Sequence, residues 1–284
     1  MMRLGIFAKT FDRPTVEDVF EAVKAHGLVC VQFNMACAGL PSLPDRIDAA
    51  VSTRIHEAAV SSGIEIEAVS GTYNMIHPDP SVRQMGLRRL RTLAAACHDL
   101  GTSVITLCTG TCDTDNKWRW HPENASPEAW SDLLQAMEAA LTIAEQERVI
   151  LAFEPERANV VNSAERGHAL LSAMQSPRLK VVLDPANIIV PGDAQEMERI
   201  VEEAIDLLGE HIVIAHAKDR GPDDEFRAAG RGILNYDHYL RLLHERAFAG
   251  PLIVHGLAEA QVGASLQFLT DKLQGKWPCC GGHL

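Results

Sequence analysis

LAFEPERAN, residues 151–159, opens as an apolar strand and then sets Glu154, Glu156 and Arg157 within four positions. So much charge at a strand end marks either a solvated loop or the rim of a site, and the rest of the chain decides between them. The run RVILAFE (148–154) is one of eight short, largely β-branched apolar runs. The others are LGIFA (4–8), LVCVQF (28–33), IEIEAVS (64–70), SVITLC (103–108), LKVVLD (179–184), HIVIAHA (211–217) and PLIVHG (251–256). Longer stretches of helical period separate them.

The helices carry physical start and stop signals. Thr15 with Asp18 has the pattern of a capping box ahead of VFEAVKAH, and Gly27 stops that helix. Ser126 followed by Pro127 supplies the N-cap and first helical position for EAWSDLLQAMEAALTIAEQE. Further helices are expected over 45–62, 81–100, 163–175, 194–208, 236–246 and 259–273, one after each strand. Strands apolar on both faces and separated by helices require a parallel sheet covered by those helices, and eight such units close a (β/α)8 barrel. The expected fold is therefore α/β, a single-domain TIM barrel over residues 1–275, with 276–284 as a disordered tail. The first strand-to-helix turn, FAKTFDRPT, has no glycine and so no dinucleotide fingerprint, which argues against a doubly wound sheet.

Composition narrows the function. The chain has 284 residues, 46% of them hydrophobic, and a formal net charge of −12. Such a surface has no general attraction for nucleic acid or anionic lipid. The apolar runs are far too short for a spanning helix and the apolar stretch in the N-terminal MMRLGIFAKTFDRP is too short for a signal peptide, so a cytoplasmic protein is expected. Seven cysteines without CxxC spacing fit reduced thiols. Cys108 and Cys112 read as packing residues, and Cys279, Cys280 and His283 belong to the tail rather than to a site. A homo-oligomer is left open.

In a barrel, catalytic groups project from the C-terminal ends of the strands. The fifth strand ends in Glu154, the sixth in Asp184, the seventh in His216 and the eighth in His255, at separations of 30, 32 and 39 residues. Each separation is about one βα unit, so the four side chains should meet around the barrel mouth. Two carboxylates and one or two imidazoles suit a divalent cation such as Mn, Co, Zn or Mg. Singly, each residue could merely bond its own loop. Together they point to a shared metal.

The elements FEPE, VVLDPAN, HAKD followed by GRG, and GPLIVHGL, in this order, resemble the sugar phosphate isomerase/epimerase family with its xylose-isomerase-like TIM barrel. The resemblance spans about residues 3–273. It implies that Glu154, Asp184 and His216 hold the metal, often Mn. Ketose epimerases of this group usually have a glutamate at the strand-eight position, serving as both ligand and acid/base; here that residue is His255.

Other loops offer substrate contacts. In GTYNMIHPD, Asn74 and His77 could reach polyol hydroxyls or the metal, although His77 could equally cap the next helix. CTGTCDTDNKWRWHPEN carries Trp118, Trp120 and His121, a natural lid or sugar-stacking platform, with helix packing as the bland alternative. Asn187, Lys218 and Arg231 stand where they could bind substrate oxygens or phosphate, Lys218 having a solvated pair with Asp219 as its alternative.

The expected partner is thus a small sugar or sugar phosphate. A metal beside its carbonyl would acidify the neighbouring C–H. Glu156 is the first candidate base because the metal need not engage it, Glu154 is the second, and His255 is the acid across the site. Reprotonation of the enediolate gives epimerisation or isomerisation; loss of a β-substituent gives a lyase, such as an inosose-type dehydratase or an enzyme of 3-oxo sugars. An apurinic-site endonuclease stands behind both, since the acidic charge and the missing DxH element disfavour it, and a non-catalytic sugar-binding barrel is a fourth reading.

Overall fold

A computed structural model describes residues 2–274. The expected tail, with Cys279, Cys280 and His283, lies outside the described residues. The eight runs form strands β1 (Arg3–Phe7), β2 (Cys30–Phe33), β3 (Glu65–Ser70), β4 (Val104–Cys108), β5 (Ile150–Glu154), β6 (Leu179–Leu183), β7 (Ile212–Arg220) and, after a ninth short strand, β9 (Pro251–Val254). Each pairs in parallel with the next, and β9 pairs with both β7 and β1, so the sheet closes into the expected eight-stranded barrel.

The helices around it are α1 (Val16–Ala25), α2 (Ala49–Ser62), α3 (Pro80–Ala96), α4 (Pro127–Glu147), α5 (Ala164–Met174), α7 (Ala194–Leu208), α8 (Tyr236–Glu245) and α9 (Val262–Leu273). Ser126 caps α4 through the Ala129 N–H, and Gly27 takes a left-handed φ of 73° after α1. Thr15 accepts the Asp18 N–H as expected, but its hydroxyl also donates to the Asp18 carboxylate at 2.6 Å. The expectation of one helix per strand needs two corrections. A single turn, α6 (Pro185–Ile188), follows β6, because Asp184 caps Ala186 N and Pro185 fits the first helical position. After β7 the chain doubles back as β8 (Phe226–Ala228), antiparallel to β7, before reaching α8.

Strand alternation builds the interior in two layers. Cys30, Ala68, Ala152, Val182, Ile214 and Ile253 form an apolar plug inside the barrel, distinct from the larger core between sheet and helices. Two residues further along the same strands come Gln32, Ser70, Glu154, Asp184, His216 and His255. Small and β-branched side chains close the bottom, and polar ones face the mouth. Gly5 serves the plug, since a Cβ there would stand 2.6 Å from Ile253 Cδ1 and 2.7 Å from Cys30 Sγ. Among the described residues no helix is long and apolar enough to cross a membrane.

Candidate active site

The mouth of the barrel holds a cavity of about 410 Å³ whose lining includes Glu154, Glu156, Asn187, His216, Lys218 and His255. Glu154 ends β5 and Glu156 follows two residues beyond it, and both carboxylates line the cavity. Asp184 lies fully buried at the end of β6.

These groups form one electrostatic network. Asn187 donates to Glu154 Oε1 at 2.7 Å and accepts from Lys218 Nζ at 2.6 Å. Lys218 Nζ is 3.1 Å from Asp184 Oδ2, and His216 Nδ1 is 3.2 Å from Glu154 Oε1 and 3.6 Å from Asp184 Oδ2. Burial works against the protonated form of His216, but the Glu154 and Asp184 carboxylates outweigh it and raise the imidazole to about 9. Burial likewise disfavours the Asp184 carboxylate, and Lys218 and His216 reverse that, holding it below the usual range. Glu156 is pushed up to about 7 by burial, with Lys218 pulling against it and Glu154 and Asp184 adding to it. His255 stacks on His216 at 5.1 Å and is held well below its ordinary value by burial, then by His216 and Lys218.

The donor set fits a divalent ion. One ligand atom each from Asp184, His216 and His255 lies within 4.8 Å of the others. His255 Nδ1 is buried without a hydrogen-bond partner, and Asp184 Oδ2 has only the Lys218 ammonium at 3.1 Å and His216 Nδ1 at 3.6 Å beside it, so both are donor atoms a cation could engage. Glu154 reaches this cluster through His216 Nδ1.

Gln32 is a site residue that sequence reasoning missed. Its amide nitrogen donates to Ser70 Oγ at 3.2 Å and Thr106 Oγ1 at 3.3 Å, which turns its oxygen toward His216 Nε2 at 2.9 Å. His216 Nε2 therefore carries a proton, and Nδ1 is the atom presented to Glu154 and Asp184. Gln32→Met removes this acceptor at similar volume. It is expected to weaken divalent metal binding by about 10- to 100-fold, as measured by competition with a chromophoric chelator.

Three expected contacts fall elsewhere. Asn74 is buried with its amide on Thr111 and Asp113 carbonyls and its oxygen on Thr111 N–H, so it clamps the loop after β4 rather than facing the cavity. His77 accepts from Asp79 N–H at 3.0 Å and meets Thr114 O at 3.0 Å, so both ring nitrogens serve loop backbone. Arg231 is exposed on the turn after β8, outside the lining. Asn187, Lys218 and Trp118 do line the cavity, joined by Lys9, Thr72, Lys117 and Phe226.

Lys218 does not pair with Asp219. The buried Asp219 instead accepts the backbone N–H groups of Arg220, Gly230, Gly232 and Leu234, tying the GRG turn to β7. The hairpin so anchored lays Phe226 over Lys218, with Nζ 3.9 Å from the ring centroid. A Cβ on Gly232 would stand 2.3 Å from both Arg220 O and Asp219 Oδ1. Gly232→Ala is accordingly expected to lower folding stability by about 1–3 kcal/mol, read from the midpoint of urea unfolding.

The pattern of the family described as xylose isomerase-like TIM barrel matches residues 20–272. The chain belongs to this family. No curated protein matches it. Among solved structures, this xylose isomerase-like barrel is similar to the 3-keto-D-glucoside 4-epimerase of E. coli, at 13% identity over 95% of this chain and 100% of that one, TM-score 0.73. It is similar to the probable 3-DHS dehydratase of Bacillus anthracis, at 14% identity over 95% and 99% of the two chains, TM-score 0.74. It also resembles the IOLI protein with a bound zinc atom, at 15% identity over 96% and 98%, TM-score 0.71. At these identities the likeness establishes the fold.

Proposed function

We propose that this barrel is a metal-dependent isomerase or epimerase of a sugar or sugar phosphate, acting by removal of a proton next to a carbonyl. The observation that carries the reading is the meeting of Glu154, Asp184, His216 and His255 at one barrel mouth beside a carboxylate, Glu156, that stands apart from the donor cluster. Asp184, His216 and His255, with Glu154, would hold a divalent ion, Mn first with Mg, Co or Zn as alternatives, whose Lewis acidity toward a carbonyl would favour loss of the adjacent proton. Glu156 takes that proton, and its burial keeps the carboxylate poorly solvated and basic. Lys218 and Asn187 bind substrate oxygens on the β6–β7 side, where Lys218 also balances the negative charge of the enediolate. Trp118 and Phe226 cover the cavity and restrict water.

A lyase on the same scaffold is the second reading, favoured by one observation. His255 takes the place where a second carboxylate base would stand, so the site has one carboxylate base facing an imidazole. That asymmetry suits loss of a β-substituent, since no second carboxylate stands at the strand-eight end to return a proton to the opposite face of the substrate. The resemblance to both an epimerase and a probable dehydratase supports the step that the two reactions share.

Metal analysis of the purified protein, followed by NMR detection of C–H exchange in D2O across ketoses, inososes and oxidised glycosides, tests both readings. Exchange with retention of the carbon skeleton and its substituents supports the isomerase or epimerase; an elimination product supports the lyase. A protein that binds no divalent ion and exchanges no C–H in any compound would refute both.

A further inference from the structure

A second groove of about 400 Å³ adjoins the cavity and shares Trp118, Glu156 and Phe226 with it. Its remaining walls include Trp120, Arg157 and Arg220. Trp118, Trp120 and Phe226 are 47, 54 and 43% exposed, and no other aromatic side chain among the described residues is an exposed large hydrophobic. Single exposed apolar residues need no explanation, but three aromatic faces meeting beside one cavity do. They come from two separate segments, the long loop after β4 and the β8 hairpin, and the Asp219 anchor holds the second in place.

We infer that this groove is a subsite for a second ring of the substrate, so that the enzyme acts on a glycoside rather than on a free monosaccharide. The inference rests on the proposed sugar chemistry and extends it. Aromatic faces suit the C–H faces of a pyranose or an aryl group, which are apolar and flat. A phosphate or carboxylate is a poorer occupant. Arg157 holds Asp224 Oδ2 at 2.5 Å and Ile189 O at 2.8 Å, and Arg220 holds Asp224 Oδ1 at 2.6 Å and Ala186 O at 2.7 Å. The guanidinium groups are thus turned onto the protein itself, and Phe226 covers Arg220 with Cζ 4.2 Å from the ring centroid. Glu156 lines both spaces, so the ring whose proton it removes sits in the cavity and the glycosidic bond passes the Glu156 carboxylate into the groove.

Tryptophan fluorescence titration of the metal-loaded, full-length protein tests this with 3-oxo methyl glucoside against 3-oxo phenyl glucoside and 3-oxo cellobiose, alongside C–H exchange in D2O on the same samples. The two-ring ligands are expected to bind about tenfold or more tightly than the methyl glycoside. That ratio should fall to within about twofold in both Trp120→Ala and Phe226→Ala; both side chains are exposed, so each variant should fold. Equal binding of one-ring and two-ring ligands by the wild type, or a preference that survives both substitutions, overturns the subsite. Exchange without two-ring preference would sink the groove and leave the proposed chemistry standing. Preference without exchange would do the reverse, and no binding by any of the three ligands would remove the subsite outright.

Discussion

Asp184→Asn is expected to abolish stoichiometric divalent metal binding and to lower kcat/KM by about 10³-fold or more, equivalent to about 4 kcal/mol of transition-state stabilisation. Asparagine keeps the shape of the side chain and an oxygen to accept the Ala186 N–H, a bond of 3.0 Å in the wild type, so the α6 turn should survive. What disappears is a negative charge 3.1 Å from Lys218 Nζ and 3.6 Å from His216 Nδ1. Both partners are buried, at 4% and 1% exposure, and water cannot replace the lost carboxylate. Breaking a buried pair from one side typically costs about 3–5 kcal/mol, and the loss should appear in urea unfolding even with EDTA present. Its pH dependence has a definite sign. The folded-state pKa of Asp184 is depressed, so its contribution is fully present above the unfolded carboxylate value and is lost as pH falls. The gap between wild type and variant should therefore narrow below about pH 4 as Asp184 protonates, and, because Asp184 also helps raise His216 to about 9, part of it should fade as pH rises through that value. Metal analysis of the purified variant checks the binding half of the expectation independently of folding.

The barrel, and the convergence of the charged strand ends at its mouth as a candidate site, are legible in the residues because two strong physical signals coincide. Eight apolar runs at βα spacing specify the sheet, and the strand period of two then dictates which side chain follows each interior plug residue. Ala152 before Glu154, Val182 before Asp184, Ile214 before His216 and Ile253 before His255 repeat one pattern. The same pattern holds for Cys30 before Gln32, Ala68 before Ser70 and Val104 before Thr106, where the second residue is uncharged and therefore drew no notice. Gln32 could have been found by applying the alternation to every strand rather than to the charged ends alone. Loop residues lacked such a constraint. Asn74 and His77 are chemically suited to bind a polyol, yet their polar atoms hold the backbone of the loop after β4, and nothing in their local sequence distinguishes the two uses. The β8 hairpin escaped for a different reason: Phe226–Ala228 is three residues long with an arginine in the middle, too short for any period to register.

Charge balance explains why a histidine can occupy the strand-eight position. Lys218 already supplies a buried cation at 3.1 Å from Asp184, and the Glu154 and Asp184 carboxylates raise the proton affinity of His216 against its burial. A neutral His255 adds a donor atom without adding another negative charge to a region that also holds Glu154 and Glu156. Its low proton affinity, set by burial and by those two cations, keeps the imidazole neutral, so that one ring nitrogen retains a lone pair.

Glu156→Gln should separate metal binding from proton transfer. Glutamine matches the carboxylate in size and can still accept the Ala158 N–H, a contact of 3.4 Å in the wild type, and Glu156 is outside the Asp184, His216 and His255 cluster. Metal content and folding stability are therefore expected to stay near wild type. General acid–base groups contribute about 10²–10⁴-fold to rate, so kcat should fall by about that factor. Wash-in of deuterium from D2O at the carbon next to the carbonyl should disappear with it. KM should change little, since the amide preserves the walls of the cavity and removes only the proton acceptor. If exchange persists at full rate in the glutamine variant while metal remains bound, the base cannot be Glu156. Glu154 is then the remaining carboxylate on the cavity wall, and the 2.7 Å bond from Asn187 would be the contact that orients it toward the substrate.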